Sequence, residues 1–330
     1  MTQAATPAIG LAPGSPPAAC VDIGGTKVAV SVATEHGMSA QVAEPTCKEG
    51  DNRALAEQII RLIGVACRND GIQTRDLAAV GVASCGPFVM RDGMVELSTP
   101  NICGGMAGKA RGLPNDWKTA PLEAPLKAVF GKVRVENDGI GALEAERRWG
   151  ALQINGRPMD HCAYVTWSTG VGMGVCVDGR ILRGKNGNAG HAGHVFVSDN
   201  DDALCGCGNI GDVEALVGGN AIPRRFGKLG YDDAAVLFNA AKSGDAQAMA
   251  IVDELCRVLG RMLYNQVATL DLERISLGGS VFWHNRDLLL PKLDACIHDK
   301  LPALTEGFEL VPAGLGLKVG DLGALALVTG

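Results

Sequence analysis

Residues 20–34 read CVDIGGTKVAVSVAT. An apolar run reaches Ile23, the pair Gly24-Gly25 interrupts it, and β-branched residues then alternate with small ones. That order predicts two strands joined by a glycine turn, because β-branched side chains pack well on a pleated surface and glycine pairs supply tight hairpin turns. A phosphate loop opening a helix would be followed by helical spacing, which is missing here. Residues 162–182, CAYVTWSTGVGMGVCVDGRIL, repeat the plan of strand, glycine turn and strand. A chain of 330 residues has room for about two domains. The repeat therefore predicts a duplicated α/β architecture with a cleft between its two domains.

The segments around the two hairpins fit that plan. Residues 52–68 place Leu55, Ile59, Leu62, Ile63 and Ala66 at helical spacing. LAAVGVASCGP (77–87) reads as a strand ending in a Gly-Pro turn, and VELSTPN (95–101) as a segment closing on Asn101. KVRVEND (132–138) is a further strand, and a helix starts at Asp138. Residues 245–268 form a long amphipathic helix with an Asp at its start, RISLGGS (274–280) a buried strand running into glycines, and VGDLGALALV (319–328) a helix of small residues. The reading places an N-terminal domain at 20–137 and a larger one at 138–315. The last helix, about 316–328, packs back on the first domain. Residues 1–19 hold four prolines and no Lys or Arg, which predicts a disordered leader and not a signal peptide.

Composition narrows the function. Hydrophobic residues make up 47% and charged residues 20%, so a large core forms and disorder is excluded. The 45 glycines follow no collagen period. A net charge of −6 argues against a nucleic-acid-binding face. No stretch is long and apolar enough for a membrane span. The 11 cysteines are odd in number and dispersed, many in apolar runs (Cys67, Cys162, Cys176, Cys256). They behave as small hydrophobes and point to a reducing cytoplasm.

Three glycine turns are candidates for chemistry. Asp22 ends the first strand before Gly24, Gly25, Thr26 and Lys27. Such a turn lets backbone N–H groups, a hydroxyl and a cation approach phosphate oxygens, and Asp22 could orient Mg²⁺ through water. Ser168, Thr169, Gly170 and Gly172 form a second turn, richer in glycine and hydroxyls than a hairpin needs. Gly278 and Gly279 end a buried strand and could line a flat base. Each alone also reads as a plain turn. Cys205 and Cys207 near His194 suggest a zinc site of soft and borderline ligands. Asp138 follows Asn137 at a strand end and reads as a helix N-cap or as a catalytic carboxylate.

The series DIGGTK, END, STGVGMG and LGGS resembles the sugar-kinase branch of the actin-like ATPases. With Gly190-His191-Ala192-Gly193-His194 and Cys205-Gly-Cys207-Gly-Asn-Ile-Gly211-Asp212-Val-Glu214 added, residues 20 to 328 resemble the ROK family (repressors, open reading frames, kinases), with its E-x-G-H and C-x-C-G-x-x-G-C-x-E signatures. The resemblance implies a two-domain actin-like (ribonuclease H-like) fold. It implies an ATP- and Mg²⁺-dependent hexose kinase acting on the 6-hydroxyl, with Asp138 as general base. It also implies sugar contacts from Asn101, Asn137, Asp138, His191, His194 and Glu214, a structural zinc, and a homodimer.

Departures bear on substrate. His191 stands where the family has a sugar-gripping glutamate, which puts plain glucose in question and admits an amino-hexose such as kanosamine. Asp212 stands where the family has a third cysteine, so the metal set would be His194, Cys205, Cys207 and Asp212, or three ligands and a water. Ser168 replaces a glycine, Cys85 a proline, and Ile140 lies in a small or polar stretch of the family's helix. A DNA-binding repressor would carry a helix-turn-helix segment ahead of the first motif, where this acidic chain has only a short Pro-rich stretch. A catalytically silent sugar-binding protein would not need DIGGTK and Asp138 together.

Overall fold

A computed structural model describes residues 9–106, 112–199 and 202–329. The chain divides into two compact units: Met1–Gly141 with Lys185–Gly187 and Gly320–Gly330, and Ala142–Gly184 with Asn188–Val319. The first division falls four residues beyond Asn137, inside a helix. The tripeptide Lys185–Gly187 joins the first unit, which the sequence reading did not foresee.

In the first unit, β1 (Ala18–Ile23) and β2 (Lys27–Thr34) form the expected antiparallel hairpin. Short strands β3 (Gly37–Met38) and β4 (Val42–Pro45) add to β2. Helix α1 (Ala54–Asn69) covers the sheet with Leu55, Ile59, Leu62, Ile63 and Ala66, all fully buried as the spacing predicts. β5 (Ala79–Ser84) pairs parallel to β1 and then to β9 (Val133–Asn137), while β6 (Phe88–Arg91), β7 (Met94–Leu97) and β8 (Ala120–Pro121) make a separate small sheet. Helix α2 (Glu123–Phe130) precedes β9, and α3 (Asp138–Trp149) follows it.

The leader departs from expectation. β1 begins at Ala18, and Leu11 is buried with its N–H bonded to Thr34 O at 2.9 Å. An apolar residue with a ladder-like partner is enough to hold the described residues 9–17 against the hairpin. Residues 1–8 lie outside the described residues.

The second unit repeats the first. After the small pair β10 (Gln153–Ile154) and β11 (Arg157–Pro158), β12 (Cys162–Trp167) and β13 (Val171–Val177) form the second hairpin, edged by β14 (Arg180–Ile181). Helices α4 (Val213–Val217), α5 (Ala221–Phe226), α6 (Ala234–Lys242) and α7 (Ala246–Leu270) come next. Asp245 caps α7, accepting from Gln247 N and Ala248 N. β15 (Arg274–Gly278) pairs parallel to β12 as β5 does to β1. Then come α8 (Ser280–Trp283), α9 (Arg286–His298), α10 (Pro302–Thr305), β16 (Glu309–Pro312) beside β15, and α11 (Val319–Ala326). From Gly320 onward α11 belongs to the first unit. There Gly141 faces the backbone of Gly323, and a Cβ at Gly141 would lie 3.3 Å from it. No helix among the described residues is long and apolar enough to cross a membrane.

Candidate active site

Parallel strands put their C-terminal ends on one edge of a sheet, and ligand sites of α/β sheets form there. In the first unit that edge carries Asp22 in β1, Cys85 just past β5 and Asp138 just past β9. The first glycine turn is held from the side. Gly24 N–H donates to Lys27 O at 2.9 Å, Thr46 Oγ1 donates to Gly24 O at 2.8 Å, and Thr46 N–H donates to Thr26 O at 3.0 Å. A Cβ on Gly25 would lie 2.9 Å from Asn101 Cβ, so only glycine lets this turn rest on Asn101. Thr26 and Lys27 are exposed beside it.

Asp22 is pushed up to about 6, chiefly by burial, then by the negative charge of Asp321, with Lys27 opposing. Asp321 comes from the first turn of α11, where Gln41 Nε2 donates to its Oδ1 at 2.6 Å. Asn137 is buried and Asp138 exposed. Asn137 Oδ1 accepts the Gly139 N–H at 2.9 Å, and Asp138 Oδ1 accepts it at 2.8 Å. Asn137 thus shares the capping role that could have explained Asp138. The Cys85 thiol is pushed far up by burial, then by Asp138 and Asp22, whose charges both reach it.

In the second unit the same edge carries Ser168 after β12 and Gly279 after β15. Ser168 N–H donates to Gly170 O at 2.9 Å, closing the turn. The Gly219 and Asn220 N–H groups donate to Ser168 O and Thr169 O at 2.8 and 3.1 Å. Thr169 is exposed, and Gly172 sits in β13. Gly278 and Gly279 are tied to β12: a Cβ on Gly278 would lie 2.6 Å from Tyr164 Oη, and one on Gly279 would overlap Trp167 O. Ser280 Oγ and Ser168 Oγ lie 3.0 Å apart, joining the two turns.

The metal candidates converge. One ligand atom each from His194, Cys205, Cys207 and Asp212 lies within 4.8 Å of all the others. His194 Nδ1 is 3.0 Å from Asp212 Oδ2, 3.6 Å from Cys207 Sγ and 3.8 Å from Cys205 Sγ. Zinc bonds of about 2.0–2.3 Å in a tetrahedron separate ligand atoms by about 3.3–3.8 Å, which the two His194–cysteine distances match, while the His194–Asp212 hydrogen bond at 3.0 Å would open slightly to admit the ion. Asp212 serves two ends: Oδ1 caps α4 by accepting Ala215 N–H at 2.8 Å, and Oδ2 faces the cluster and accepts from Asn209 Nδ2 at 3.2 Å. The Asp212 hydrogen bond raises His194, while burial alone would lower it. Burial pushes Asp212 up, but the His194 and Ala215 hydrogen bonds outweigh it and hold the carboxyl low. Burial raises the Cys205 thiol. A metal would therefore compete with protons on His194 and Cys205.

His191 is held by its own loop. Its Nδ1 lies 3.0 Å from Asn188 O, so in the neutral ring Nδ1 carries the proton and Nε2 is an acceptor. Burial, then His194, lowers its pKa. Glu214 reaches the second glycine turn, where its Oε2 accepts the Val171 N–H at 3.0 Å. Thus the first unit gathers Asp22, Gly24, Gly25, Asn101, Asn137 and Asp138. The second gathers the Ser168 turn, Gly278, Gly279, the metal set and Glu214.

The sequence reading missed Asp321, Asn209 and Ser280. Asp321 acts on a residue at the far end of the chain, which no local spacing signals. Asn209 sits inside the cysteine loop, and Ser280 follows the third glycine pair, so both lay in view of their motifs.

The family model for the ROK family matches residues 18–330. The chain is 30% identical to a glucokinase of Aeropyrum pernix over 328 residues, covering 93% of this chain and 95% of that one. It is 34% identical to an N-acetylmannosamine kinase of Yersinia pestis over 268 residues, covering 79% and 82%. Among solved structures, a ROK family glucokinase from Streptomyces griseus in complex with glucose and AMPPNP superposes with a TM-score of 0.68 at 26% identity, covering 93% of this chain and 97% of that one. The chain belongs to the ROK family, and within it to the sugar kinases. Its two-domain actin-like fold follows.

Proposed function

We propose that this protein transfers the γ-phosphoryl group of ATP to the 6-hydroxyl of glucose or of an amino-hexose, with Asp138 as general base. The observation that carries this reading is the first unit's strand edge, which holds an exposed carboxylate at Asp138, a buried Asn137 beside it, and the Asp22 turn resting on Asn101. Asp138 takes the proton as the sugar oxygen bonds to the γ-phosphorus and the bond to the ADP oxygen breaks. Such help contributes ~10²–10⁴-fold. Positioning by the glycine turns and hydroxyls supplies much of the rest. Asp22 would hold Mg²⁺, which neutralises developing phosphate charge when bound.

Asn101, Asn137, His191 and His194 would take the sugar hydroxyls. His191 offers an uncharged acceptor where the family's glutamate offers a charged one, and this supports a hexose other than plain glucose. The glucokinase and N-acetylmannosamine kinase relatives bracket the substrate class. A zinc on His194, Cys205, Cys207 and Asp212 would fix the loop between His191 and Glu214 and take no part in the transfer.

The test is a coupled ADP-release assay over glucose, mannose, N-acetylmannosamine, glucosamine and kanosamine. Turnover with at least one, and with an amino-hexose in preference to glucose, is the expected result. No turnover with any, combined with thermal stabilisation by a sugar, would make the protein a silent sugar-binding module.

A further inference from the structure

Asn115 belongs to none of the motifs read in the sequence, yet its side chain uses its full bonding capacity. It lies in the stretch between Asn101 and β8. Its Oδ1 accepts the Gly104 N–H at 2.7 Å and the Trp117 N–H at 3.1 Å. Its Nδ2 donates to Ile102 O at 3.0 Å and to Lys48 O at 2.8 Å. A side-chain amide has two donors and an oxygen with two lone pairs, so all four places are taken. The chain leaves at Gly105, whose N–H donates to Trp117 O at 2.9 Å, and returns past Asn115. Where the two ends pass, a Cβ on Gly104 would overlap Asn115 O. Trp117 is buried, and its Nε1 donates to Gly50 O at 3.1 Å, which anchors the returning chain. Asn115 thus clasps the two ends of one loop directly beyond Asn101.

We infer that Asn115 is a positioning residue for the sugar: by holding Ile102 and Gly104 it fixes the backbone from which Asn101 meets a hexose hydroxyl. This deepens the kinase reading above and rests on Asn101 as a sugar contact. The turn is braced on both sides of Asn101. Before it, buried Thr99 accepts the Ile102 and Cys103 N–H groups on its carbonyl at 3.1 and 2.8 Å, and its Oγ1 accepts the Asn101 N–H at 3.4 Å. After it, Asn115 takes the Ile102 carbonyl and the Gly104 N–H. A contact ordered before the sugar arrives loses less freedom on binding, and a misplacement of about 1 Å is enough to cost a large factor.

Three single variants and one double variant test this. Asn115→Ala removes all four bonds. Asn115→Asp keeps the two accepted N–H groups and loses the two donated bonds. Asn101→Ala is made alone and together with Asn115→Ala. The readouts are Kd for glucose and for N-acetylmannosamine by calorimetry, which needs no turnover, KM for ATP, and amide exchange at Gly104. The inference expects Asn115→Ala to weaken sugar binding about tenfold, with faster Gly104 exchange and KM for ATP nearly unchanged. Asn115→Asp falls between it and the wild type. On top of Asn101→Ala, the Asn115→Ala change adds little, because residues that act through one contact are not additive. Full additivity would overturn the inference, as would an unchanged sugar Kd in Asn115→Ala where Asn101→Ala weakens binding. If Asn115→Ala does not fold, Asn115→Asp carries the same decision, alone and with Asn101→Ala. An unchanged Kd in Asn101→Ala would remove Asn101 from the sugar contacts and the inference with it. A wild type that binds a hexose but transfers no phosphoryl group would overturn the kinase reading alone.

Discussion

The two glycine hairpins share a plan and differ in what holds them. β1–β2 and β12–β13 are both antiparallel pairs flanked by a parallel strand, β5 or β15. The first turn is braced by Thr46 and Asn101 and has carboxylates around it: Asp22, Asp321 and, past β9, Asp138. The second is held by Glu214 and the amides after α4, next to four metal-ligand candidates. On the proposed reading the duplicated frame is specialised, with proton and cation chemistry on the first copy and a built support on the second.

The largest expected effect is on the first copy. Asp138→Asn should fold normally by thermal melting and lower kcat by at least ~10²-fold. A near-normal kcat would leave the two hairpins without the division of labour drawn here.

The second copy should depend on its support. Asp212→Ala should lose zinc, read as metal per chain by mass spectrometry, and should cost about 0.5–2 kcal/mol from the lost cap on α4. Asp212→Cys should retain zinc, since a thiolate serves the same tetrahedral set. Full zinc occupancy in Asp212→Ala would remove that carboxylate from the ligand set. Removing zinc from the wild type with a zinc-selective chelator should raise KM for the sugar more than KM for ATP, because the proposed sugar contacts His191 and His194 sit on that loop.

A smaller effect distinguishes Asp22. Its carboxyl is pushed up to about 6 and must be charged to hold Mg²⁺. The rate at limiting MgATP should therefore fall as pH drops through about 6, a limb that more Mg²⁺ partly offsets and that Asp22→Asn lacks. The stability sign is opposite. A raised carboxyl favours the folded state when protonated, so Asp22 takes stability away as pH rises from about 4, the unfolded value, toward 6. Denaturant midpoints across that window, compared with Asp22→Asn, would show it.

Both hairpins, α1, α3, α7 and the metal set were legible because each is a local pattern: period two around glycines, helical spacing, or ligands within one loop. What was not legible depends on distance in the chain. Leu11 reads as part of a Pro-rich leader until the backbone of Thr34 is beside it. Lys185–Gly187 joins the first unit by packing that no motif marks. The loop signature marks Glu214 as a sugar contact but does not show its bond to the Val171 N–H, which lies on another strand.

The most direct test of the account is the chemistry of the product. The wild-type enzyme is given ATP, Mg²⁺ and its best hexose, and the products are followed by phosphorus-31 NMR. The account predicts a single phosphate ester on the 6-hydroxyl, formed one for one with ADP. ADP and inorganic phosphate without an ester, or an ester at another hydroxyl, would contradict it.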